Sequence, residues 1–161
     1  MPVIVGSLAP DFTLYNSEKN KVSLSEFKGE NVLLLFFPLA FTGVCTRELC
    51  DVRDNLGIYN AAKVKVMGIS VDSVYSLARY KEEQKLNFDL LSDFNKEVSA
   101  LYGSLYETFG FNMKGVSKRS AFLIDGEGRI VYSEVLENAQ EVPDFVKIND
   151  KIREIRSVIT S

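Results

Sequence analysis

Residues 32–37 read VLLLFF, an unbroken apolar run that Pro38 brings to an end. A strand with one wet face alternates apolar and polar side chains, because successive side chains point to opposite faces. This run has no polar side to offer. It suits a strand covered on both faces, as in a sheet with helices on either side. The rest of the chain has to bring covering elements to both faces of that strand.

The remaining pattern supplies them. Upstream, Ala9-Pro10-Asp11-Phe12-Thr13-Leu14 reads as an extended segment after a turn, and residues 21–24 as a second, with Ser25 placed to cap a brief turn ending near Gly29. Residues 42–59 are helical in pattern, with Cys45, Leu49, Val52 and Leu56 on one apolar stripe. The segment KVKVMGISV, residues 63–71, alternates and is rich in β-branched side chains, which predicts a strand. Asp72-Ser73 opens a helix over residues 74–84, Asp89-Leu90-Leu91 is a short extended piece, and residues 96–102 form a short helix. Residues 119–124 and 129–135 are strands joined through Asp125-Gly126-Glu127-Gly128, a hairpin composition. No helix follows those glycines, so they do not make a nucleotide loop. Pro143-Asp144 opens a last helix with Phe145, Ile148, Ile152, Ile155 and Ile159 along its apolar side. Strand, helix, strand, helix, hairpin, helix is the thioredoxin-like arrangement, an α/β fold with a central sheet flanked by helices. With no repeat and no linker, one domain over residues 1–161 is expected.

Composition narrows the chemistry. The chain has no histidine, which removes Cys-His and Ser-His nucleophile pairs and every histidine-metal site. Its two cysteines are too few for a structural zinc site, so neither a metal nor another cofactor is implied. Nineteen basic and 22 acidic side chains give a net charge of −3 with no long run of either sign. That balance points to no nucleic-acid partner and no polybasic membrane patch. The opening MPVIVGSLAPDF lacks a basic n-region, and no apolar run approaches the roughly 18 residues of a membrane span. A cytoplasmic protein is expected, where thiols stay reduced and two cysteines five apart read as catalytic.

Those cysteines lie in FFPLAFTGVCTRELC, residues 36–50, which follows the buried strand and opens a helix. Thr42 is placed as the N-cap, with its oxygen available to the amide of Cys45 at the third helical position. Cys45 then sits, exposed, in the first turn, where unpaired amides and the helix dipole favour an anion. The same position on the apolar stripe also allows a buried, unreactive thiol.

A resemblance separates the two. Pro38-Leu39-Ala40-Phe41-Thr42-Gly43-Val44-Cys45, continued by Thr46-x-Glu48, resembles the P-x-x-x-T/S-x-x-C signature of the peroxiredoxins, in the AhpC/TSA superfamily. The likeness extends to the Ala-Pro-Asp-Phe opening, the GISVDS segment and Arg119-Ser-Ala-Phe-Leu-Ile-Asp125. It implies the thioredoxin-like fold with a peroxiredoxin N-terminal extension and a central mixed sheet. It implies that Cys45 is the peroxidatic cysteine and that Thr42 donates a hydrogen bond that orients the peroxide. Pro38 would shield the thiolate from water, Arg119 would stabilise it, and Glu48 would hold an arginine in place. The residues alone do not select Arg119 among the seven arginines.

Cys50 resembles the resolving cysteine of the bacterioferritin-comigratory-protein type, also called PrxQ, which lies on the same helix. That implies a Cys45 sulfenic acid condensing with Cys50 to an intramolecular disulfide. It also implies recycling by thioredoxin or a similar dithiol. Five residues of helix separate the two Cα atoms by about 9 Å, whereas a disulfide wants them within about 7 Å. The bond therefore requires the helix to open. Cys50 also lies about 100° off the apolar stripe, where a core-filling cysteine would not. A one-cysteine cycle with an external thiol, a thiol–disulfide oxidoreductase and a redox chaperone are the alternatives. The missing C-x-x-C speaks against the second of these. The aromatic-rich stretch 101–115 suits a substrate mouth, a subunit contact or core packing, and leaves monomer or homodimer open.

Overall fold

The computed structural model describes residues 3–160, and the side chains of residues 3–155. Its strands are β1 (Thr13–Asn16), β2 (Lys21–Ser23), β3 (Asn31–Phe36), β4 (Val64–Ser70), β5 (Asp89–Ser92), β6 (Ser120–Ile124) and β7 (Ile130–Val135). Its α-helices are α1 (Gly43–Asp54), α2 (Leu56–Ala61), α3 (Val74–Gln84), α4 (Glu97–Leu101) and α5 (Phe145–Thr160). The strands form one mixed sheet in the order β2-β1-β5-β4-β3-β6-β7. β3 runs parallel to β4 and antiparallel to β6.

The VLLLFF run is β3, and its residues divide between two cores as the pleat requires. Leu33, Leu35 and Phe37 pack with Leu49 and Val52 of α1, Leu77 and Tyr80 of α3, and Ile148 and Ile152 of α5. Val32, Leu34 and Phe36 face the other way, with Phe12, Phe122, Val98 of α4 and Tyr102. Every residue of β3 is buried. The N-terminal hairpin β1–β2 extends the sheet through β5. Ile159 of the expected α5 stripe lies outside the described side chains.

Two local expectations are corrected, and a third segment left open is resolved. The helix over 42–59 breaks at Asn55, whose side-chain amide donates to the Asp51 carbonyl at 2.8 Å. A short amide that binds nearby backbone competes with the helical ladder, and α2 restarts one residue later. The brief turn over Leu24–Phe27 is capped by Ser23, not Ser25. Glu26 accepts from the Ser23 amide at 3.0 Å, while the Ser25 amide donates to Asp11. The stretch 101–115 divides: Tyr102 is sealed in the core, Tyr106 packs on Val71 and Val116, and Phe111 is 99% exposed. Among the described residues no helix is long and apolar enough to cross a membrane.

Candidate active site

The site forms where β3 ends. The Phe37 amide makes a last bond to the Ile69 carbonyl at 2.9 Å, and Pro38, buried, turns the chain out of the sheet. The loop that follows is tied down by the Ala40 amide, which donates to Asp72 Oδ2 at 2.8 Å. Ser70 donates to the same oxygen. Phe41 sits in the left-handed region at φ 66°, an uncommon conformation for a bulky side chain. Its ring stands edge-on to Tyr80 with centroids 5.0 Å apart. α1 then begins at Gly43.

Thr42 is the N-cap residue by backbone conformation, but its side chain makes no capping bond. Its hydroxyl donates to the Leu39 carbonyl at 2.8 Å, so its one proton is directed into the loop. The sequence reading had that oxygen accepting the Cys45 amide, and had the hydroxyl donating towards substrate. The nearer carbonyl, three residues back, takes the proton instead. The first intrahelical bond runs from the Thr46 amide to the Thr42 carbonyl. The amides of Gly43, Val44 and Cys45 precede it and have no carbonyl within the helix.

Cys45 is the third helical residue, and none of its surface is exposed. The expectation of an exposed thiol is therefore wrong. The stripe that carries Leu49 and Val52 into the core carries Cys45 with it. It is nevertheless not an inert filler, because a cation meets it there. Arg119 immediately precedes β6, and β6 pairs with β3 so that Ser120 lies opposite Phe36. The start of β6 and the end of β3 are neighbours, which brings Arg119 beneath the first turn of α1.

The Arg119 guanidinium is 1% exposed and fully directed. Nη2 donates to Cys45 Sγ at 3.2 Å, Nη1 to Glu48 Oε1 at 2.7 Å, and Nε to the Ala139 carbonyl at 3.1 Å. Burial works against its charge, but Cys45 and Glu48 more than offset this and hold the guanidinium protonated. Glu48, also 1% exposed, lies on the same face of α1 one turn after Cys45. Burial pushes its carboxyl up to about 7, against the pull of Arg119. Its second oxygen, Oε2, has no hydrogen-bond partner among the described residues.

α3 closes one side. The Tyr80 hydroxyl and the Thr46 Oγ1 are 2.9 Å apart, and burial pushes the Tyr80 phenol up to about 12. Tyr106 approaches from the other side, its hydroxyl donating to the Leu136 and Glu137 carbonyls. Cys50 is half-buried at the edge of the core, and its Sγ reaches Gln84 Oε1 at 3.5 Å. Both thiols are free and stand on one unbroken helix. Among the described residues, no group of three or more His, Cys, Asp or Glu could hold a metal ion.

Pro38, Thr42, Cys45, Glu48 and Arg119 thus gather at one end of the sheet, with Cys50 on the helix that leaves it. Sequence reasoning missed Phe41, Tyr80, the Asp72 tether and the Ala139 carbonyl. Asp72 had shown itself only as part of a helix start, and a backbone carbonyl carries no residue-type signal.

Residues 5–133 match the AhpC/TSA family. Peroxiredoxin Bcp of Escherichia coli is 39% identical over 131 residues, covering 80% of this chain and 83% of that protein. The crystal structure of peroxidoxin BcpB from Mycobacterium tuberculosis superposes with a TM-score of 0.82 at 27% identity, covering 94% of this chain and 97% of that one. The reduced 2-Cys peroxiredoxin of Plasmodium vivax gives a TM-score of 0.84 at 30% identity, covering 97% and 83%. The match takes in the end of β3, the first turn of α1 and the start of β6 together, and on that ground the chain belongs to the AhpC/TSA family and is a peroxiredoxin, a thiol peroxidase.

Proposed function

We propose that Cys45 is the peroxidatic cysteine and that residues 1–161 act as one domain reducing hydrogen peroxide and alkyl hydroperoxides. The observation that carries this reading is the Arg119 Nη2 hydrogen bond to Cys45 Sγ, 3.2 Å long, at the third residue of a helix. A fixed cation and free amides favour negative charge on that sulfur, in a chain without histidine to provide it. The thiolate attacks one peroxide oxygen, the S–O bond forms as the O–O bond breaks, and the departing oxygen leaves as water or alcohol. Arg119 and the Cys45 amide stabilise the charge that appears on that oxygen. Thr42, whose proton is held by Leu39, orients the peroxide by accepting its O–H. Pro38 excludes water, and Glu48 holds the guanidinium flat against the sulfur. Because Cys45 is covered, peroxide enters by displacing the loop that carries Phe41 and Thr42.

Cys50 then attacks the sulfenic acid, giving the Cys45–Cys50 disulfide and water. α1 unwinds to let the two sulfurs meet, and thioredoxin or a similar dithiol reduces the bond. One observation favours a second reading, a one-cysteine cycle with an external thiol: both cysteines lie on an intact helix. The first test is steady-state peroxide consumption with thioredoxin. Cys45→Ser is expected to abolish turnover, and residual turnover at the wild-type rate overturns the assignment.

A further inference from the structure

The buried cluster holds one cation and two groups able to carry negative charge. Cys45 and Glu48 share the Arg119 guanidinium, through bonds of 3.2 and 2.7 Å, and none of the three residues is more than 1% exposed. Two anions against one cation would leave an uncompensated buried charge, which is heavily penalised. In such a pair one member keeps its proton. The other groups facing the cluster do not change this count. Tyr80, from α3, and Tyr106, from the loop after α4, are phenols that burial keeps neutral, and the Ala139 carbonyl is uncharged. Glu48 has a free place for the proton. Oε1 accepts from Arg119, whereas Oε2 is buried without a partner among the described residues, so a proton on Oε2 displaces no hydrogen bond.

We propose that Glu48 is the proton reservoir of this site: its carboxyl takes the proton that the Cys45 thiol gives up and passes it to the oxygen that leaves when peroxide is cleaved. This rests on Cys45 being the peroxidatic cysteine, and it gives Glu48 a chemical task beyond steadying the arginine. The resting site holds a Cys45 thiolate, a Glu48 carboxylic acid and the Arg119 cation. The sulfur electron pair attacks the hydroxyl oxygen of ROOH, and the O–O electron pair departs with RO. That oxygen takes the Glu48 proton and leaves as ROH, or as water when R is hydrogen. Sulfur is oxidised by two electrons to the sulfenic acid and the peroxide is reduced by two. Glu48 is left as a carboxylate, so Arg119 has one counter-ion before and after the step.

The consequence is countable. Cys45 oxidation in the wild-type protein draws no proton from solution, because the proton is already stored. Closing a Cys45–Cys50 disulfide releases only water and does not alter the count. The experiment is a single turnover with one equivalent of hydrogen peroxide, in weak buffer just above neutral pH. A pH-indicator dye follows protons and mass spectrometry confirms oxidation of Cys45. The expected wild-type uptake is close to zero per Cys45 oxidised. Glu48→Gln keeps an oxygen for Arg119 but cannot store the proton. It is expected to take up one proton per Cys45 oxidised and to react about 100-fold more slowly. Infrared difference spectra should show a protonated carboxyl band lost on oxidation of the wild type and absent in Glu48→Gln. Oxidation of Cys45 with one proton taken up by the wild type overturns the inference while leaving the peroxidatic assignment standing. Peroxide consumption without oxidation of Cys45 overturns the assignment itself. The wild-type infrared difference decides the matter even if Glu48→Gln fails to fold: zero uptake without loss of a protonated carboxyl band means that the proton sat on Cys45, and overturns the inference.

Discussion

The two cysteines share a helix and almost nothing else. Cys45 has no exposed surface, accepts a hydrogen bond from a buried guanidinium, and stands in a turn whose amides have no partner in the helix. Cys50 is half-buried, packs at the edge of the core, makes a long contact to the Gln84 side-chain amide at the end of α3, and lies within the field of Arg53. The first environment is built for negative charge at one fixed place. The second puts its thiol at the edge of the core, partly open to solvent and without the buried guanidinium. In the proposed cycle the first turns of α1, which carry Cys45 and the Thr46 bond to Tyr80, unwind so that the two sulfurs meet.

That contrast can be broken in three ways. The largest effect is expected from Cys50→Ser, which should remove thioredoxin-linked turnover entirely while the first reaction with peroxide runs at wild-type speed. Mass spectrometry after one equivalent of peroxide should then show a persistent Cys45 sulfenic acid, in place of the wild-type disulfide. A persistent sulfenic acid in the wild type as well would favour the one-cysteine cycle. Next is Arg119→Ala, expected to lower kcat/KM for peroxide by about 10²–10³-fold in stopped-flow measurements. It should also destabilise the fold by about 3–5 kcal/mol in urea titrations, since Cys45 and Glu48 stay buried without the one cation that they share. Alkylation of Cys50 should proceed at its usual rate, because Arg119 does not touch that thiol. The smallest effect belongs to Tyr80→Phe. It removes the bond to Thr46, which ties the first turn of α1 to α3. The expected loss is about 1 kcal/mol. If the helix must unwind for the sulfurs to meet, rapid-quench measurements should show the disulfide closing about fivefold faster.

How much of this was legible in the sequence follows the same division. β3 was legible because an unbroken apolar run has few ways to be satisfied, and the structure covers it on both faces. The stripe Cys45-Leu49-Val52 was legible as a period, yet the period alone left an active thiol and a buried filler equally open. Burial belongs to the stripe, and reactivity comes from Arg119, which lies 74 residues away in sequence. No local pattern distinguishes Arg119 from the other arginines; only the resemblance selected it, and the β3–β6 register explains how it arrives. The break at Asn55 and the hydroxyl of Thr42 were misread for a shared reason. Short polar side chains choose between helix and nearby backbone on differences of about 1 kcal/mol, which residue type alone does not resolve.

The complete covering of Cys45 has a consequence for traffic through the protein. A small peroxide can slip past a loop, but another protein cannot bring its own sulfur to an atom with no open surface. In the proposed cycle the disulfide carries the oxidising equivalent outward from position 45 before a dithiol protein collects it. The partly open thiol at position 50 is where that proposal puts the exchange.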